Sequence, residues 1–150
     1  MKIFHTTSKE NAAKIRKEGF SLEFAGSVGG LQMGYGIYFC AGMADVEYWA
    51  HRLDIQGEII ECEIDASLII AAKDVKMAAM KAAAEKRGWF EGGKITEKAK
   101  ADLGIEIENF DAQVKSAAAK DAGFAGISFG FGENIVVWDL AHITPGIVHR

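Results

Sequence analysis

The chain has 150 residues, about half of them apolar and a quarter charged, with a formal net charge of −4. That length suits one domain around one core. No run of about 18 apolar residues occurs, so a membrane span is excluded. Lys and Arg alternate with Glu in stretches such as "KENAAKIRKE" and "KITEKAKAD", the pattern of solvated helix faces, which speaks against a protein that wraps a nucleic-acid backbone. The start, "MKIFHTTSKE", lacks the apolar segment of a secretory signal. A cytoplasmic protein is expected, with Cys40 and Cys62 as buried, reduced thiols.

Residues 2–5 read as a short strand with His5 at its end. Ser8 is a candidate N-cap for a helix over about 9–18, Glu10 lies in its first turn, Ala12 and Ile15 share a face, and Gly19 ends it. The Gly-rich stretch 21–34 lacks periodicity and reads as a loop. Residues 36–40 form a strand and 43–53 a helix. "GEIIECEIDASLIIA" reads as strand, with Ile60, Cys62 and Ile64 inward and Glu61 and Glu63 outward.

The Ala/Lys/Met-rich residues 74–87 predict a helix, which "GWFEGG" breaks. Further helices are expected over about 94–102 and 110–121. "FAGISF" and "ENIVVW" (133–138) read as strands, and "HITPGIV" as a last edge strand interrupted by Pro145. Strands bunch toward both ends of the chain, so a single mixed α+β domain over residues 1–150 is expected.

Two apparent motifs fail on context. "GWFEGGKI" approaches a P-loop, but Ile95 stands where a hydroxyl should meet magnesium, and a helix precedes it rather than a strand. "GISFG" has the nucleophile-elbow pattern around Ser128, yet a glycine turn and a strand follow instead of a helix. No Cys/His spacing suits zinc, and no metal is expected.

Three stretches remain. They are "IFHTTSKENAAKIRKEGF", "GYGIYFCAGMADVEYWA" and "AAAKDAGFAGISFGFGENIVVWDLAHITP". Together they resemble the ADP-ribosyltransferase superfamily in its His-Tyr-Glu class, the diphtheria-toxin and poly(ADP-ribose) polymerase type, as a small bacterial or phage-type member. The resemblance lies in His followed by small residues and a helix ending near Gly-Phe, then G-x-G-I-Y-F, then a strand opening with Glu. It covers roughly the first 50 and last 35 residues. It implies a split β-sandwich with peripheral helices, and NAD as co-substrate.

On that resemblance His5 hydrogen-bonds a ribose hydroxyl, the Thr6 backbone holds the nicotinamide amide, and Tyr38 stacks on the ring. Trp49, or its neighbour Tyr48, closes the other face. Gly34 and Gly36 would clear the ligand's approach. Glu133 is the implied catalytic carboxylate, stabilising an oxocarbenium-like sugar.

Thr6 replaces the family's frequent Gly. Phe131 stands where arginine-modifying members carry Glu, which implies an acceptor other than arginine. Phe129 and Phe131 are candidate acceptor contacts, and the loop 25–34 a candidate cover over NAD. The implied activity is transfer of one ADP-ribose to an acceptor, with protein, nucleic acid and small molecule all open. NAD hydrolysis and an inactive NAD- or ADP-ribose-binding module are the alternatives, and an antitoxin or inhibitor is a compatible partner.

Overall fold

The computed structural model describes residues 1–24, 33–103, 109–130 and 133–149. Strand β1 (Lys2–Ser8) leads into α1 (Lys9–Glu18), where the Ser8 hydroxyl accepts from the Asn11 N–H and Gly19 closes the last turn. Strand β2 (Ile37–Phe39) is followed by α2 (Met43–Arg52) and β3 (Gly57–Glu63). Strand β4 (Ile69–Ala71) precedes α3 (Met77–Lys86), a small hairpin of β5 (Phe90–Glu91) and β6 (Lys94–Ile95), and the helices α4 (Glu97–Leu103) and α5 (Phe110–Asp121). Strands β7 (Gly126–Phe129), β8 (Asn134–Val137) and β9 (Thr144–His149) complete the order. The architecture is mixed α+β. Among the described residues there are five α-helices and three sheets, none of them closed. No helix among those residues is long and apolar enough to cross a membrane.

One sheet is antiparallel in the order β1-β3-β9, and the other runs β2-β8-β7-β4. Period-two alternation turns Ile3, Ile60, Cys62 and Ile64 of the first toward Ile37, Phe39, Ile135 and Val137 of the second, and these form the main core. Helix α1 packs Ala12 and Ile15 against that core. A second cluster lies on the far face of the larger sheet, where Ile127, Val136 and Tyr38 meet Ala119 of α5. A third sits under α2, where Val46, Met43 and Trp49 cover Phe4, Cys40 and Ile59.

The expectations fail at four places. His5 lies mid-strand, because β1 runs on to Ser8. The apolar run after Gly57 is two strands in different sheets, parted where Asp65 caps a 3-10 turn by accepting from the Ser67 N–H at 2.9 Å. Residues 94–95 belong to the hairpin, whose Gly92 and Gly93 hold φ values of 58° and 77°, a turn that only glycine makes cheaply.

The last correction concerns Gly34 and Gly36. The space a Cβ would need there is filled by the protein, not left for a ligand. At Gly34 (φ 120°) it would lie 2.8 Å from the Ser116 side chain, and at Gly36 it would lie 2.6 Å from the Val137 carbonyl oxygen. The glycines let the 33–36 segment pack onto α5 and β8.

Substituting Gly36→Ala forces β2 off β8, so a urea midpoint lower by the equivalent of about 1–3 kcal/mol is expected. Burial pushes both thiols up to about 12. At pH 8 the folded protein is therefore expected to leave Cys40 and Cys62 unmodified by a chromogenic disulfide reagent, with both reacting in urea.

Candidate functional site

Among the described residues a single antiparallel backbone bridge joins the two sheets. Phe4 and Cys40 exchange both backbone hydrogen bonds at 2.8 Å. Continued in register, the pairing would set Thr6 opposite Tyr38. Instead the strands part there, and the His5 ring enters the gap, its Nδ1 2.8 Å from the Tyr38 carbonyl oxygen. A carbonyl only accepts, so Nδ1 carries the proton and the neutral ring keeps Nε2 as an acceptor.

Alternation along β1 then decides where Thr6 points. Phe4 spends its N–H and C=O on Cys40, so Thr6, two residues on, turns its own N–H and C=O to the same side. They face the gap rather than β3, and the Thr6 side chain faces the α2 side of the sheet.

His5 is flanked by aromatic rings, Phe20 edge-on at 5.4 Å and Phe39 tilted at 5.5 Å, and these two meet at 5.3 Å. Burial among them pushes the imidazole below its usual 6.5, and the Tyr38 carbonyl offsets part of that push. Phe20 reaches this position because α1 ends at Gly19, so its sequence signal is the Gly-Phe pair that follows the helix. Phe39 reads in the sequence only as strand core. Phe39 is nearly fully buried, and its role as one wall of the His5 niche appears only once β1 and β2 are side by side.

Tyr38 meets His5 through its backbone, not its ring. The ring lies on the opposite face of β2 from Phe39, packed with Met33, Val136 and Phe129. Its hydroxyl accepts from the Met33 N–H at 2.9 Å and donates to the Gly34 carbonyl at 3.0 Å, and burial pushes it up to about 12.

Glu133 is exposed and stands just before β8. The Cys40 thiol donates to its carbonyl oxygen at 3.1 Å. It shares the parity of Ile135 and Val137, the face that carries Phe39. A Cβ on Gly130 (φ 63°) would fall 2.6 Å from the Glu133 carboxylate, so the carboxylate lies against that bare glycine.

The structure thus brings His5, Thr6 and Tyr38 together where β1 and β2 part, while Glu133, just before β8, reaches β2 through the Cys40 thiol on its carbonyl oxygen. It places the α2 aromatics differently. Trp49 packs into the cluster over Phe4 and Cys40, while Tyr48 is exposed. Their rings meet at 5.6 Å, and the Arg52 guanidinium lies 6.0 Å from the Trp49 ring centroid. Among the described residues no ring pair joins either of them to Tyr38. Phe129 packs within the second cluster. Phe131 and residues 25–32 lie outside the described residues. No group of three or more metal-ligating side chains occurs among the described residues.

Comparison with protein-family models, with curated proteins and with solved structures returns no match for this chain.

The low imidazole value makes a signed prediction. Below pH 6.5 the unfolded chain takes up a proton that the folded His5 refuses. The stability held by the neutral ring is full above 6.5 and is lost as pH falls from there toward the folded value. NMR titration is expected to place His5 below 6.5, and His5→Gln to remove that part of the acid slope in thermal melts. A titration at or above 6.5 would show a ring that its aromatic neighbours do not desolvate.

Proposed function

We propose that the chain is an NAD-dependent ADP-ribosyltransferase of the His-Tyr-Glu type, built on a split β-sandwich and transferring one unit. The observation that carries this reading is the parting of β1 and β2. There the His5 ring, bound to the Tyr38 carbonyl, offers Nε2, and the Thr6 N–H and C=O turn outward beside it. A flat carboxamide needs one acceptor and one donor, which the Thr6 backbone supplies, and a ribose hydroxyl can donate to Nε2. These residue types also match the three stretches that resemble the family.

In this reading the bond between nicotinamide and ribose breaks, its electron pair leaves with nicotinamide, and positive charge grows on the sugar. The Glu133 carboxylate stabilises that charge and fixes the ribose hydroxyls. The acceptor's nucleophile then bonds to the ribose carbon and its proton is released. Glu133 is exposed, which suits a macromolecular acceptor and also admits water, the hydrolytic alternative. The acceptor stays open among protein, nucleic acid and small molecule.

The test follows nicotinamide release from NAD, with and without DNA, RNA or lysate protein. Glu133→Gln is expected to lower turnover about 10²- to 10³-fold while NAD affinity changes little. Label retained on a macromolecule marks a transferase, and free ADP-ribose marks a hydrolase. Absence of NAD binding to the wild type would overturn the proposal.

A further inference from the structure

Away from the gap, a cavity of about 350 Å³ lies between α2 and the outer face of the three-stranded sheet. Its floor is one cross-strand row. Thr6 pairs with Ile59, and Ile59 pairs with His149, so a hydroxyl, an alkyl group and an imidazole stand side by side on one face. Its wall is a stripe of α2, with Met43, Glu47 and Ala50 at helical spacing, and Ile55 closes one end. The volume is ample for a ligand of about ten non-hydrogen atoms, and polar and apolar groups line it in nearly equal measure.

The polar groups at its surface favour one charge. His149 Nε2 lies 2.9 Å from Glu61 Oε2, and a carboxylate only accepts, so that nitrogen carries a proton and is committed to Glu61. The nearby Lys2 ammonium is already committed to Glu61 at 2.9 Å, and Arg16 lies 3.8 Å from Glu58 at the cavity's margin. Glu47 adds a carboxylate. The lining therefore offers acceptors and a formal negative charge, with no lysine or arginine among the described residues that form it. A compact alkyl- or aryl-ammonium ion has the complementary form, an apolar body for Met43, Ala50, Ile55 and Ile59 and a donor-rich cationic end for Glu47.

We propose that this cavity is a second binding site, for a small organic cation carrying a primary ammonium group on an apolar body. It is separate from the gap between the sheets, though Thr6 serves both, with its backbone facing the gap and its side chain the cavity. Binding here does not require NAD and is read in its absence.

The probe is 2-phenylethylamine, titrated into the labelled full chain at pH 7.5 and followed by amide NMR. Two companions share its body, neutral 2-phenylethanol and anionic 3-phenylpropionate. Saturable shifts at Thr6, Ile59 and Ala50 are expected, with a Kd of about 1 mM or tighter, the range open to so small a ligand. Glu47→Gln is expected to weaken the amine at least about fivefold, and the alcohol should bind the wild type at least as much more weakly than the amine. Glu47 is exposed on a helix surface, so the variant should fold. Glu10→Gln, on the exposed face of α1, is the control and should leave the Kd unchanged. No saturable shift by about 10 mM, equal affinity for amine and alcohol, or an amine Kd that ignores Glu47→Gln would each overturn the proposal.

Discussion

Two backbone hydrogen bonds between Phe4 and Cys40 fix how the two sheets meet. Their net worth is small, about 1 kcal/mol each, and burial of Ile3, Phe39, Ile60 and Ile135 supplies far more adhesion. Burial has no direction, however, and would tolerate many relative positions. The bridge selects one. It sets Thr6 against Tyr38 at the point where the strands separate, and it places the Cys40 thiol on the carbonyl of Glu133. Shifting it by one residue would turn His5 out of the gap and exchange every inward side chain of β1 for its neighbour.

The gap is polar chemistry held in an aromatic frame. Phe20 and Phe39 flank the His5 ring, burial among them favours its neutral form, and the Tyr38 carbonyl fixes which nitrogen holds the proton. A neutral imidazole of known tautomer is a directional acceptor, whereas a charged one would only donate. Glu133 is exposed, just before β8.

Much of this was legible in the sequence where the signal is local. Ser8 and Gly19 bound α1 as their types predict, and the alternation of Ile60, Cys62 and Ile64 names the inner face of β3. What escaped depends on distant partners. Two-residue strands such as β5 and β6 are too short to show a period. The Asp65 cap is a local signal, but the apolar residues on both sides of it mask a change of sheet. The spacing of Gly34 and Gly36 suggested an opening, and the residues that fill it, Ser116, Val136 and Val137, lie far along the chain. Residues 72–125, most of which carry no resemblance, are the crossover that two parallel neighbours, β4 and β7, require. Of the candidate site, His5, Thr6, Tyr38 and Glu133 could be named from the sequence, whereas the backbone role of Tyr38 and the packing of Trp49 could not.

The strand order β2-β8-β7-β4 also bears on how the protein is made. The two outer strands of that sheet leave the ribosome first, and the hairpin that joins them arrives last, slotting between them. Until it does, β2 and β4 each lack the neighbour that pairs them, and unpaired edges of this kind invite association with other chains. The carboxylate at residue 133 travels with that late hairpin. A nascent chain lacking β7 and β8 therefore carries His5 and its aromatic neighbours but not Glu133, so translation itself separates the arrival of the two in time.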